Sequence, residues 1–340
     1  MIWLTWRQFR TQALIGLALT VVVAAVLLAT RGSLLGLAHD TGYTGCTTDC
    51  NELASQFVKQ AQGQVYGRLL FNGSVLLFLM PALIGLFWGA PLVARELETG
   101  THRLVWNQTV SRNRWLAVKL GGVGLVTVVV AGLLSWALTA WASPIDRAQG
   151  WMSPDTFTVR GLVPIGYAAF AFMAGVTVGM LLRRTVPAMA VTLVVVAAAM
   201  ALSIVFLRPH LVAQTTYQAT LTAENIGGIS LSPDDPARDI HVEAQTPGQL
   251  KGAWVLSNDI STSAGTAFHG PYDPTTCGPE ATAGRDACAQ WIASQNLQQK
   301  VIYLGAERFW TLQWRELGVF LVASALLATF CFWWIRRRVA

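Results

Sequence analysis

Six long apolar runs, at about 11–30, 69–94, 120–143, 161–182, 186–207 and 316–335, alternate with polar connections along the chain. A bilayer core of about 30 Å needs roughly 20 apolar residues in a helix. Each run meets that length and is nearly free of ionisable side chains, so a helix there satisfies its own backbone without burying charge. The pattern predicts six membrane-spanning helices. The first run is too long for a signal-peptide core, and no small-residue cleavage site follows it, so it reads as a span.

The connections differ in kind. Residues 1–10 (MIWLTWRQFR) set Ile2, Trp3, Trp6 and Phe9 against Arg7 and Arg10, the pattern of a short amphipathic helix lying in the membrane interface. Pro81 and Pro91 predict a kink or break in the second run. Residues 31–68 and 144–160 read as loops, and 95–119 as the longest loop of the opposite side. Only Arg183 and Arg184 separate the fourth and fifth runs, a tight hairpin. Residues 208–315 are polar and rich in Pro, Gly, Asp and Thr, about the size of a small domain. Alternation at 239–243 and 253–256 predicts strands there, and Cys288, Trp291 and Ile292 recur at helical spacing around 286–302.

Composition agrees with this pattern. Of 340 residues, 53% are hydrophobic and 12% charged, against about 25% charged in soluble domains. The net charge of +6 does not form a nucleic-acid patch, because its charges sit between apolar runs. With the N-terminus inside, the inner segments hold twelve basic residues against Glu96 and Glu98, a balance of +10. The outer segments hold the other twelve basic and sixteen acidic residues, a balance of −4. The positive-inside rule therefore predicts both ends in the cytoplasm.

That orientation places Cys46, Cys50, Cys277 and Cys288 outside and Cys331 in a span. Four cysteines allow three pairings. Short local loops favour Cys46–Cys50 and Cys277–Cys288, with free thiols the alternative.

The predicted architecture is an all-α polytopic membrane protein. It has an interfacial helix at 1–10, five spans within 11–207, an extracytoplasmic mixed domain at 208–315, and a last span with a basic tail at 316–340.

Motifs for chemistry are missing. No GxxxxGK[ST] phosphate loop occurs, so the chain does not bind ATP in that manner. No HExxH, HxH or GxSxG pattern is present, and no catalytic or metal residues are assigned. The cluster Asp234, Asp235 and Asp239 sits in a Pro-rich stretch that reads as a solvated turn. Inside the spans the polar residues are neutral: Asn72, Ser74, Thr127, Ser135, Thr139, Thr192 and Ser203. Ion-coupled transporters keep ionisable groups at depth, so this pattern disfavours one.

The 95–119 loop lies within the segment VARELETGTHRLVWNQTVSRNRWLAVKL, from Val93 to Leu120. It resembles the permease subunits of ABC-2-type ATP-binding-cassette exporters. The match rests on Glu96, Glu98, Gly100, Thr101, Leu104, Ser111, Arg112 and Lys119, and departs where Thr109 stands for the usual proline. Read from the residues alone, a short helix around 96–106 would expose Glu96, Glu98, His102 and Arg103. Leu104, Val105 and Trp106 would then fill a partner's apolar cleft.

The resemblance implies a separate ATPase subunit, binding ATP and Mg, docked on Arg95, Glu96, Glu98, Gly100, Thr101, Arg103, Leu104, Trp106 and Arg112. Six spans are half the usual twelve, which implies a homodimer of this chain in the lipid bilayer. The path would run between the second and fifth spans, with Asn72, Ser74, Phe78 and Ser203 as candidate lining residues. The closing segment, Glu307 to Arg338, resembles permeases of high-GC actinobacteria, which implies a bacterial plasma membrane. The competing readings are a membrane-anchored sensor that captures ligand with 208–315, and a membrane-embedded enzyme, for which no convergent polar site is visible.

Overall fold

In the computed structural model, the described residues are 2–48, 50–101, 111–231, 240–247, 250, 252–268, 270, 272–277 and 284–337. Several expectations fall outside them: those for His102, Arg103, Leu104, Val105, Trp106 and Thr109, for Asp234, Asp235 and Asp239, and for Arg338. The chain divides into two compact units, residues 1–211 with 309–340, and residues 212–308.

The first unit is helical. Its elements are α1 (Ile2–Asp40), α2 (Asn51–Gly63), α3 (Val65–Ile84), α4 (Ala90–Glu98), α5 (Arg112–Gln149), α6 (Pro154–Thr158), α7 (Val163–Leu182), α8 (Thr185–Leu202), α9 (Arg208–Leu211) and α12 (Phe309–Arg337). Among the described residues, six helical stretches are long and apolar enough to cross a membrane: Phe9–Asp40, Val65–Glu98, Arg112–Gln149, Val163–Leu182, Thr185–Leu211 and Ala306–Arg337. They are longer than the apolar runs. At 1.5 Å per residue the 38 residues of α5 extend to roughly 57 Å, nearly twice the bilayer core. Polar turns at both ends therefore remain helical beyond the hydrocarbon.

Three local expectations change. Residues 1–10 do not form a separate helix, because α1 runs unbroken for 39 residues. Nothing between Arg10 and Leu14 breaks a helix, so the polar start and the apolar run share one axis. Residues 144–149 are helix rather than loop, although Pro144 lies inside α5. Proline leaves the carbonyl four residues back without its helical donor. Here that carbonyl, on Ala140, accepts from Arg31 Nη1 (2.8 Å) and from Ser143 Oγ (3.0 Å), so the helix continues. The interruption expected in the second span is a π-helical turn at Gly85–Gly89, between α3 and α4, with Pro91 accommodated in the first turn of α4.

α7 is the central helix and the most buried of the six. It packs against α3, α4, α5, α8 and α12, while α1 lies on α5. Small residues allow the closest of these approaches. A Cβ added at Gly175 would lie 2.4 Å from the Gly85 carbonyl oxygen, and one at Gly179 would lie 2.4 Å from that of Ala90. Gly85 and Gly89 face α7 in the same way, against the carbonyls of Ala171 and Phe172. Two glycine pairs, each spaced by four, thus bring α7 against the π turn and α4 at backbone distance. Large apolar side chains such as Ile15, Val22, Leu28, Val194 and Leu326 remain exposed on the bundle's surface, as a helix meeting lipid tails requires.

Before the second span, Cys46 and Cys50 form a disulfide beside α2, and Tyr43 stacks on Phe57 (5.4 Å).

The second unit is mixed. β1 (Thr215–Thr220), β5 (Gln298–Leu304) and β4 (Trp254–Ser261) form an antiparallel sheet in the order β1-β5-β4, and β2 (Ile226–Leu231) pairs with β3 (Ile240–Ala244). The short helices α10 (Pro274–Cys277) and α11 (Gly284–Ser294) are joined by the Cys277–Cys288 disulfide. Leu221, Ile226, Ile240, Tyr272, Ile292 and Leu297 make its core. The strands expected near 239–243 and 253–256 are β3 and β4. The helical spacing expected through 302 ends at Ser294, because Gln298–Leu304 alternates buried and open side chains as a strand. Residues 208–211 and 309–315, expected in this domain, are helical turns of the first unit.

Candidate functional site

The end of the bundle that carries the Val93–Leu120 motif is cross-braced. Glu96, near the C-terminus of α4, pairs with Lys119 of α5. Lys119 also donates to the Leu92 carbonyl (3.2 Å) and lies over the Trp115 ring, 4.7 Å from its centroid. Its side chain is 4% exposed and that of Glu96 14%. Glu96 is therefore a brace between α4 and α5, which corrects the expectation that it faces outward to a partner. The pair closes within the chain, between Glu96 on α4 and Lys119 on α5.

Glu98 has a different task. Its Oε2 accepts from the Thr185 backbone N–H (2.9 Å) and from Thr185 Oγ1 (2.7 Å). Thr185 opens α8, where backbone N–H groups have no helical partner. A carboxylate there satisfies one donor and complements the positive end of the helix dipole. The turn before it is made by Arg183 in the left-handed region (φ 54°). Glu98 thus fastens the end of α4 to the α7–α8 hairpin.

Beyond it, Gly100 adopts φ 72°, and Thr101 shares a hydroxyl contact with Thr99 (3.1 Å). Ser111 caps α5, its side chain accepting from Arg114 N (3.4 Å), and Arg336 donates to Asn113 Oδ1 (3.1 Å). Arg95 is exposed and Arg112 partly so. Of the expected docking residues, the structure brings Arg95, Glu98, Gly100 and Thr101 to the tip of α4 and Arg112 to the first turn of α5. Arg103, Leu104 and Trp106 lie outside the described residues.

At the opposite end the expectation of charge-free spans is corrected. Two further ion pairs are buried there. Arg160 Nε meets Asp146 Oδ2 at 2.8 Å, each side chain 2% exposed, and Arg160 also reaches Ser74 Oγ (3.4 Å). Arg208 Nε meets both oxygens of Glu316 (3.1 and 3.0 Å), each side chain fully buried. Glu316 accepts in addition from Tyr167 Oη (2.6 Å) and Ser203 Oγ (2.7 Å). The Arg208 fork donates to Thr158 Oγ1 (2.9 Å) and Tyr167 Oη (3.0 Å), with the guanidinium over the Phe157 ring. Gln313, one helical turn before Glu316, accepts from the Leu162 and Val163 nitrogens that open α7 (2.8 and 2.9 Å). Gly161 permits that approach, with φ +64° and a Cβ position only 2.9 Å from Gln313 Oε1.

This network ties α6, α7, the end of the fifth span and the start of α12 together. Its charges stood at the margins of the apolar runs, where Asp146 and Arg160 read as loop residues, Arg208 as part of the polar domain and Glu316 as the first residue of the last span. The signal that could have found them is their sign: Arg208 and Glu316 bound the two runs on either side of the polar domain. The paired glycines Gly85/Gly89 and Gly175/Gly179 were likewise legible as two small-residue motifs.

The four candidate path residues are not brought together. Asn72 and Phe78 lie on the exposed surface of α3, and Ser74 is partly buried beside Arg160. Ser203 opens a π-helical turn at Ser203–Leu207 and is 2% exposed, its hydroxyl committed to Glu316. That corrects its assignment as a lining residue.

Residues 17–208, more than half of the chain, match the family described as ABC-2 membrane transporter related. No curated protein and no solved structure matches the chain.

Proposed function

The chain belongs to the ABC-2 membrane transporter related family, and on that premise we propose that it is the permease subunit of an ATP-driven exporter. Both termini and the α4–α5 connection face the cytoplasm in this reading, and the 212–308 unit faces outward. The charge balance supports that orientation, and so do the two disulfides, which it leaves in an oxidising compartment. The membrane is a bacterial plasma membrane. The substrate is hydrophobic or amphipathic, a drug, lipid or lipopeptide moving outward.

A separate ATPase subunit, holding ATP and Mg, docks on the segment from Arg95 to Arg112. Its phosphate loop supplies what this chain lacks. A second copy of the chain completes the path.

The observation that carries the reading is the fastening of Glu98 to Thr185. A partner that pushes on the tip of α4 moves the first turn of α8 with it, while the Glu96–Lys119 brace passes the same push to α5. A short docking segment thereby acts on three spans at once. Co-expression with a candidate ATPase subunit from the same organism tests the reading. The complex should hydrolyse ATP and export substrate, and Glu98→Ala should uncouple the two. Intact export by Glu98→Ala combined with Trp106→Ala would refute it.

A further inference from the structure

A cavity of about 480 Å³ opens at the motif end of the bundle, against α1, α4 and α5. Its polar wall carries Gln12, Arg95, Thr99 and Thr101, beside the Glu96–Lys119 pair, and its apolar wall carries Phe9 and Trp88. Directly along the helices lies a second hollow of about 370 Å³, whose lining is apolar apart from Gln12. It runs between α1 and the second span and includes Ile15, Leu19, Leu76, Met80, Leu83 and Phe87. Gln12 and Trp88 line both, so the two hollows adjoin at these side chains, where Gln12 Nε2 donates to the Phe87 carbonyl (3.4 Å). Trp88 forms the shared wall. It packs edge-on to Phe9 (5.2 Å) and flat over Gly16, where an added Cβ would lie 2.9 Å from the indole.

The dimensions and charges identify an occupant. From Trp88 back to Leu76 is twelve residues of helix, roughly 18 Å, which is close to the thickness of one leaflet's hydrocarbon, half of about 30 Å. The apolar hollow thus has the length of one acyl chain and the depth of one leaflet. At its polar mouth Lys119 and Glu96 offset one another and Arg95 adds a net positive charge. A guanidinium with the Thr101 hydroxyl and the Gln12 amide beside it suits a phosphodiester.

We infer that these two adjoining hollows together bind one phospholipid from the adjoining leaflet, with its phosphate at Arg95 and one acyl chain between α1 and the second span. Placement in the cytoplasmic leaflet rests on the orientation proposed above; occupancy does not.

The test uses the full-length chain purified without any ATPase, so its outcome is independent of the exporter reading. The protein is incubated with phosphatidylglycerol, or with diacylglycerol as the same chains without phosphate, and bound lipid is counted by native mass spectrometry. One phosphatidylglycerol per chain should be retained, and diacylglycerol should not. Leu83→Trp, which fills the apolar hollow from its open side, and Arg95→Gln should each lower retention by roughly tenfold, about 1.4 kcal/mol. Arg95→Lys should restore part of it, and Leu321→Trp, on an exposed face of α12, should leave it unchanged. Equal retention in wild type, Leu83→Trp and Leu321→Trp would show annular lipid only and overturn the proposal. Equal retention of diacylglycerol would overturn the phosphate site.

Discussion

Glu98 at the end of α4 holds Thr185 at the start of α8, 87 residues away in the chain, through two hydrogen bonds that one carboxylate oxygen accepts. The pair links the expected docking segment to a span with which it shares no sequence continuity. Glu98→Ala should leave the protein folded, because the carboxylate is solvent-facing and water can replace it. Export should fall by roughly tenfold, within the usual range of coupling free energies between sites, while the partner's ATP hydrolysis persists. Substrate flux measured beside ATP turnover in reconstituted vesicles checks it.

Arg208 and Glu316 form a fully buried pair, and Glu316→Gln or Arg208→Met alone strands one charge. Each should cost about 3–5 kcal/mol, seen as a large fall in the unfolding midpoint in detergent. The double variant Arg208→Met with Glu316→Leu should recover much of the loss, because removing both charges also removes the penalty of burying either. Equal loss in single and double variants would contradict this account of the network.

Gly175→Ala should destabilise the bundle by roughly 1–3 kcal/mol. The added methyl meets the Gly85 carbonyl at 2.4 Å, and backbone on both sides leaves it nowhere to go. Gly121→Ala, where no atom lies within 4 Å, should be neutral. Thermal midpoints of the two variants make the comparison.

Asp273, in the 212–308 unit, is held below the usual carboxylate range, first by the Thr276 hydroxyl and then by the Thr275 hydroxyl and backbone N–H. A depressed folded value means stability present above the unfolded pKa of about 3.9 and lost as pH falls through the lower folded value. Hydrogen-exchange protection at α10, with the intrinsic pH dependence of amide exchange divided out, should fall as the pH of the full chain drops below about 4. Asp273→Asn should flatten that dependence.

Much of the bundle was legible because the solvent is severe. Lipid demands about 20 uncharged residues per crossing, and the six runs meet that demand without help from tertiary context. The cysteine pairs were readable for a simpler reason, since short separations leave little choice. What escaped was everything at the margins. Arg208, Glu316, Asp146 and Arg160 flank apolar runs, and hydropathy cannot tell a loop charge from one buried by a helix that overshoots the bilayer. Pro144 looked like a loop because the rescue of its orphaned carbonyl comes from Arg31, more than a hundred residues away. Glu96 looked like a docking charge because its partner, Lys119, lies one helix on. The π turn at Gly85–Gly89 follows from packing against α7, which no local pattern states.

The central claim, that this chain is the membrane half of an ATP-driven transporter, is tested most directly by what accompanies it out of the membrane. The full-length protein, solubilised mildly from its own host, should carry an ATPase with a phosphate loop in equal number. That complex should lose substrate movement, but not assembly, on Glu98→Ala. Isolation of the chain without any phosphate-loop ATPase, together with transport that survives Glu98→Ala, would contradict the claim.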